Sequence, residues 1–268
     1  MKGKLYIVAT PIGNLKDITL RAIEVLNEVD IIICENPLHS MKLLNAYDIK
    51  KKLQPFHKFN EKSTIKKVKD WLLTGKNIAL ISDAGTPLIS DPGYLLVEDL
   101  RQENFEVLPI PGACAGISAL VASGLNTERF CFVGFLHGKK SNKVDTLNKY
   151  KELDCSLIFY LAPHNINEDL EIISSCLGAR KCVLANEITK MFEKYITFNL
   201  QDYPKIDGRG EYVLVVDGCR ESMDYSTLSI EEHIKIYTDM GIDEKSALKM
   251  VAKDRGVSKS IIYNNLKT

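Results

Sequence analysis

The chain predicts an α/β protein of two domains followed by a small helical module. Three observations carry this. Short apolar runs alternate with amphipathic helical segments over the first 110 residues. Three of those runs open directly into Gly/Pro-rich turns. Beyond residue 219 only helical spacing remains.

In order, strand 4–9 leads to a helix near 19–28, where Leu20, Ile23 and Leu26 make an apolar stripe. Strand 30–34, a helix near 39–46 and a short strand near 52–56 follow. A lysine-rich helix near 62–74 precedes strand 77–82, a helix near 93–103 and strand 105–110. Such alternation with short links implies a parallel sheet covered on both faces, taken as domain 1–112. The second domain, 113–220, starts with a small-residue helix from Ala113 to Gly124 and the apolar run 130–134. A polar helical stretch at 138–152, strand 156–161, a helix near 165–176 and strand 181–186 continue it. Met191–Thr197 and Gly210–Asp217 read as two antiparallel strands that close a second sheet.

Residues 219–228 read as a linker, and the helical module covers 226–268. Ser229 and Glu232 have capping-box spacing. Further helices are predicted near 243–253 and 258–266, capped by Asp243 and Ser258. Lys245, Lys249 and Lys253 share one face; Ala247, Met250 and Val251 form an opposing apolar face, with Leu248 between.

The turns are 10–14, 82–93 and 109–116. Each places small residues and free backbone N–H groups at the carboxyl end of a predicted strand, where open α/β sheets bind ligands. Three in one sheet would line one crevice; each alone is compatible with a simple connector.

Formal net charge is zero, so a strongly basic nucleic-acid binder is neither indicated nor excluded. No apolar run reaches the ~18–20 residues of a membrane span. No leader is expected, because Met1-Lys2-Gly3-Lys4 runs into a strand. Seven scattered cysteines, without CxxC or zinc spacing, imply buried thiols in a reducing cytoplasm and no metal site.

Specific motifs then carry a resemblance. Ala9-Thr10-Pro11-Ile12-Gly13-Asn14-Leu15, Ser82-Asp83-Ala84-Gly85-Thr86-Pro87-Leu88-Ile89-Ser90-Asp91-Pro92-Gly93 and Pro109-Ile110-Pro111-Gly112 resemble the cofactor loops of the tetrapyrrole (corrin/porphyrin) methylases. His57, Asn60-Glu61, Pro163-His164, Glu187-Ile188-Thr189-Lys190 and the tail from Ala247 to Tyr263 extend the similarity to one branch. That branch is the bacterial 16S rRNA (cytidine-2′-O)-methyltransferases. The resemblance implies a cleft between two α/β domains that binds S-adenosylmethionine, small-subunit rRNA as partner, and a homodimer. It implies cofactor contacts from Ile12, Gly13, Asp83, Gly85, Thr86, Pro87, Ile89, Gly112, Cys114, Ala115 and Leu161. Substrate contacts are implied from Asn60, Lys139, Lys140, His164, Thr189 and Lys190.

A ribose 2′-hydroxyl has a high pKa, so methyl transfer to it gains from a positioned base. Glu35, His57, Glu61 and Glu187 are the titratable candidates near predicted strand ends. Lysines between Lys50 and Lys69, with Lys139, Lys140 and Lys143, form a basic rim or an ordinary solvated face. Two departures from the branch stand out. Asn36-Pro37-Leu38 replaces an acid–Thr–Arg run, and Leu161-Ala162-Pro163-His164-Asn165 lacks an acid and an arginine. These leave open a non-catalytic paralogue that binds cofactor or RNA. A methylase of a small tetrapyrrole-like substrate is the other alternative.

Overall fold

A computed structural model describes residues 2–57, 60–219, 228–239 and 241–266. They fall into two compact units divided between residues 219 and 220. The predicted linker, apart from its ends, lies outside the described residues.

In the first unit, β1 (Leu5–Val8), β2 (Ile31–Cys34), β3 (Lys52–Pro55), β4 (Ile78–Ile81) and β5 (Val107–Ile110) form a sheet in the order β3-β2-β4-β1-β5. All its pairings are parallel, as predicted. Its strands alternate between two cores. Ile31, Ile33, Ile78 and Leu80 face α3 (Glu61–Leu73) and α4 (Tyr94–Gln102). Ile32, Cys34, Ala79 and Ile81 face α1 (Leu20–Glu28) and α2 (Pro37–Ala46). Period-two alternation with both faces buried explains why these strands read as continuous apolar runs. α2 starts two residues before its predicted position because Asn36 caps it and Pro37 occupies its first turn.

The second sheet contains β6 (Phe130–Phe135), β7 (Ser156–Leu161), β8 (Lys181–Asn186), β9 (Lys194–Asn199) and β10 (Tyr212–Val216), in the order β6-β7-β10-β8-β9. The reading of 191–197 and 210–217 as a closing pair needs correction. β10 runs antiparallel between β7 and β8, while β9 is an edge strand on β8. Full burial of all five β10 residues fits a central strand, and the polar positions of β9 fit an edge. α5 (Ala115–Ser123) covers one face of this sheet. α6 (Lys140–Asn148) and α7 (Ile166–Leu177) cover the other.

Lys143 is not part of a basic rim. It lies 5% exposed on the inner face of α6, with its Nζ 2.7 Å from Asp169 Oδ1 of α7.

The second unit contains α8 (Ile230–Asp239), α9 (Glu244–Asp254) and α10 (Lys259–Asn265). The capping box forms in both directions: Ser229 N donates to Glu232 Oε2 at 2.8 Å, and Glu232 N to Ser229 Oγ at 3.1 Å. Lys245, Lys249 and Lys253 are exposed, as predicted. The apolar face is turned from its predicted position: Ala247, Leu248, Val251 and Ala252 are buried, and Met250 is exposed. Leu248 and Ala252 sit one turn apart and complete the stripe that Met250 was expected to share. No helix among the described residues is long and apolar enough to cross a membrane.

Candidate functional site

The order β4-β1-β5 makes the three strands that precede the Gly/Pro turns immediate neighbours. Their loops are laced together. Thr10 and Gly85 exchange backbone hydrogen bonds at 2.9 and 3.1 Å. The Thr86 hydroxyl donates to Ala113 O at 3.0 Å. Gly85 has φ +79, and a Cβ there would lie 3.1 Å from Ile12 Cγ2, so only glycine fits the turn unstrained. A Cβ on Gly112 would lie 2.8 Å from Ala9 Cβ.

These loops form one wall of a cavity of about 520 Å³; the ends of β6, β7 and β10 form the other. That volume is within the range of small-molecule sites, ~300–1,000 Å³. Ile12, Asp83, Gly85, Thr86, Ile89, Cys114, Ala115 and Leu161, all named above as implied cofactor contacts, line it. Gly13, Pro87 and Gly112 are not among the residues that line it. Lys190 lies against Gly13, whose Cβ position is 2.6 Å from Lys190 Cε. Pro87 faces a smaller cleft with Glu35 and Asp91.

Asp83 brings an unsatisfied acceptor to the wall: its Oδ1 is buried and has no hydrogen-bond partner among the described residues. A buried acceptor without a protein donor is costly and calls for a donor from outside the chain, a water or a ligand group. Tyr160, which the sequence reading overlooked, is the other polar anchor. Its hydroxyl accepts from Gly116 N at 3.1 Å, satisfying a donor in the first turn of α5. Phe132 and Phe135 pack edge-on against its ring, at 4.9 and 5.4 Å between centroids. Burial, above all, pushes its hydroxyl up to about 12, so it stays protonated near neutrality. The available signal was strand alternation: Tyr160 sits between Phe159 and Leu161, which belong to the opposite core.

The four proposed bases are not gathered on the cavity wall. Among the described residues, its titratable groups are Asp83, Asp91, Cys114, Tyr160, Glu211 and Tyr212. Glu35 shares Asp91 with the cavity through the small cleft, and Glu187 touches the wall through its neighbour Ile188 and its bond from Glu211 N. His57 lies in the turn before α3, where its backbone N donates to Asn60 Oδ1 at 2.8 Å. Asn60 Nδ2 in turn donates to Pro55 O at 3.0 Å, so this side chain shapes the turn that presents Glu61 at the start of α3.

Glu187 Oε1 accepts from Lys190 Nζ at 2.9 Å and from Glu211 N at 2.8 Å. The Lys190 hydrogen bond, first of all, holds its carboxyl below the usual range. Lys190 Nζ also reaches Glu211 Oε2 at 2.9 Å. The Thr189 hydroxyl bonds the Asp17 carboxylate, which joins the β8–β9 loop to the loop after β1. On the second sheet's other helices, Lys139 and Lys140 open α6, with Lys140 Nζ 3.7 Å from Glu171 Oε1. His164 is exposed in a 3₁₀ turn after β7.

Fold and site together define a two-sheet α/β protein with a cavity of small-molecule size between the loops after β1, β4 and β5 and the strand ends of the second sheet. The chain belongs to the tetrapyrrole (corrin/porphyrin) methylase family, whose sequence profile matches residues 4–204. It is 42% identical over 272 aligned residues to Ribosomal RNA small subunit methyltransferase I of Halalkalibacterium halodurans, covering 98% of this chain and 94% of that one. The protein of the same name from Escherichia coli O157:H7 is 40% identical, with 98% and 94% covered. Among solved structures, diphthine synthase superposes with a TM-score of 0.64 at 15% identity, covering 81% of this chain and 90% of that one. A uroporphyrin-III-C-methyltransferase from Thermus thermophilus gives 0.59 at 18%, covering 81% and 94%. These two likenesses bear on the fold alone.

Proposed function

We propose that this protein transfers a methyl group from S-adenosylmethionine to the ribose 2′-oxygen of a cytidine in the 16S rRNA of the small ribosomal subunit. The observation that carries this is the laced three-loop cavity, in a chain 42% identical over nearly its whole length to a small-subunit rRNA methyltransferase. Bound there, S-adenosylmethionine supplies a methyl group made electrophilic by its sulfonium. Gly85 lets backbone approach the ligand, Gly112 lets its loop pack against Ala9, and Ile12, Ile89, Ala115 and Leu161 offer the ligand apolar contact. The buried Asp83 Oδ1 accepts a ligand hydroxyl or ammonium group. Gly13 and Pro87 shape the loops.

On the substrate side, Lys139, Lys140 and His164 hold RNA phosphates, with Lys190, Thr189 and Asn60 fixing the loops beside them. Glu35 takes the proton of the 2′-hydroxyl, because its cleft adjoins the cavity at Asp91. His57 and Glu61 orient the nucleotide. Glu187, held ionised by Lys190, keeps the β8–β9 loop in place and is a weak base. Segments 1–112 and 113–220 act as the two walls, and 226–268 adds exposed lysines to the RNA contact. The protein works in the cytoplasm as a homodimer.

A non-catalytic reading is favoured by Asn36, which serves as a helix cap where the related branch has an acid. Mass spectrometry of the 16S decoding-site fragment from a deletion strain separates the two. A lost ribose methyl establishes the enzyme; an unchanged pattern leaves the non-catalytic reading.

A further inference from the structure

The β8–β9 loop carries the most exposed large apolar pair among the described residues that are adjacent in sequence. Met191 is 90% exposed and Phe192 76%. Here, unlike at scattered exposed apolar residues, the backbone that presents the pair is fixed. Lys190 N donates to Glu187 O at 3.0 Å, and Glu193 N to Lys190 O at 3.1 Å. Thr189 N donates to Glu193 Oε2 at 2.9 Å. Glu187 and Thr189 have φ of 54° and 65°, left-handed values that cost non-glycine residues ~1–3 kcal/mol each. The Thr189 hydroxyl and the Asp17 carboxylate, with Lys190 between Glu187 and Glu211, hold that geometry.

The loop is also placed at the rim of the site, since Ile188, three and four residues before the pair, lines the cavity. Its charges satisfy one another: Lys190 is bound by two carboxylates. What the tip offers outward is therefore apolar contact and a π-face, on a rigid mount, beside the cavity mouth.

We propose that Phe192, backed by Met191, stacks on an unpaired RNA base next to the nucleotide being methylated. This rests on the RNA-methylating reading above. A ribose can reach a cavity at strand ends only if its nucleotide leaves the helical stack, and the neighbouring base then needs a new stacking partner. Aromatic side chains meet that need with any base, because every base has a π-face. A second copy of the chain is the poorer occupant. Glu193 and Lys194 beside the pair are exposed and charged, and two side chains fall far short of the ~800 Å² per partner of a standard interface.

The test compares wild type with Phe192→Ala and Phe192→Trp. Steady-state methylation of 30S subunits gives kcat and KM, and anisotropy gives affinity for a 16S decoding-site RNA fragment. Calorimetry reads S-adenosylmethionine affinity, and sedimentation reads the oligomeric state. Phe192→Ala is expected to weaken RNA affinity and raise KM by about ten-fold, in the range of one lost base stack. Cofactor affinity and oligomeric state stay unchanged, and Phe192→Trp restores RNA affinity. Unchanged RNA affinity in Phe192→Ala overturns the proposal, as does a loss that accompanies a change of oligomeric state, which assigns the tip to a second copy. If wild type methylates no 30S subunit but Phe192→Ala still binds RNA more weakly, the methylating reading fails while the stacking contact stands.

Discussion

Thr10 and Gly85 hydrogen-bond each other in both directions, at 2.9 and 3.1 Å, across the carboxyl ends of β1 and β4. This one antiparallel bridge lies outside the parallel sheet and closes two loops into a single wall. Thr10 adds its hydroxyl to Ser82 O at 3.3 Å, so the bridge is buried and cross-tied. The cavity wall is thus a property of loop-to-loop bonding more than of either loop alone.

Gly85→Val should abolish S-adenosylmethionine binding while the protein stays folded. A β-branched residue at φ +79 is strained, and its side chain enters the space beside Ile12. Calorimetry should detect no binding, with the far-UV circular dichroism of wild type. Wild-type affinity would remove Gly85 from the proposed cofactor contacts.

Leu38→Arg should strengthen RNA binding and its salt dependence. Leu38 is 73% exposed in the first turn of α2, so an arginine there reaches solvent without repacking. One added phosphate contact steepens the slope of log K against log salt by about 0.7 to 0.9. Affinity for the 16S fragment across a salt series measures it. An unaltered slope would mean that no phosphate passes this position.

Lys143→Met should destabilise the first unit by ~3–5 kcal/mol, because it leaves the Asp169 carboxylate buried without its counter-ion. Both side chains are only 6% exposed at 2.7 Å. The double variant Lys143→Met/Asp169→Leu should recover most of that loss. Urea unfolding of the three proteins provides the comparison, and equal stability of the single and double variants would contradict it.

The helical module should lose stability in mild acid. His233 is fully buried, and its Nδ1 accepts from Arg255 Nε at 3.2 Å. Burial first, then the Arg255 charge, lowers its pKa below the ordinary 6.5; Asp254, with Oδ2 at 3.3 Å from Nε2, opposes them only in part. The unfolded chain therefore takes up the proton before the folded one. The stabilisation is complete above about pH 6.5 and is lost as pH falls through the lower folded-state value. Hydrogen exchange of α8 and α9 amides, corrected for intrinsic rate, should show falling protection over that interval. His233→Gln should flatten it.

The sequence alone determined the central strands β2 and β4, because a strand buried on both faces must be apolar throughout. Ile31-Ile32-Ile33-Cys34 and Ile78-Ala79-Leu80-Ile81 leave no other economical placement. It likewise determined the cap at Ser229 and the turn glycine at Gly85, since both depend on neighbours a few residues away. The loops of the cavity wall were legible for the same reason: their residues sit in short motifs with local backbone requirements. Only the tertiary structure decided what depends on strand order and side-chain direction. β10 enters between β7 and β8 by pairing with residues 26 to 59 positions earlier, which no local pattern encodes. Lys143 is a rim lysine by composition and a core ion pair by packing, because Asp169 meets it only when α6 lies on α7. Tyr160 joins the cavity through a hydrogen bond to Gly116, 44 residues away in the chain. Local chemistry is written along the chain, whereas a site assembled from distant strand ends exists only once the free energy of packing has chosen which ends are neighbours.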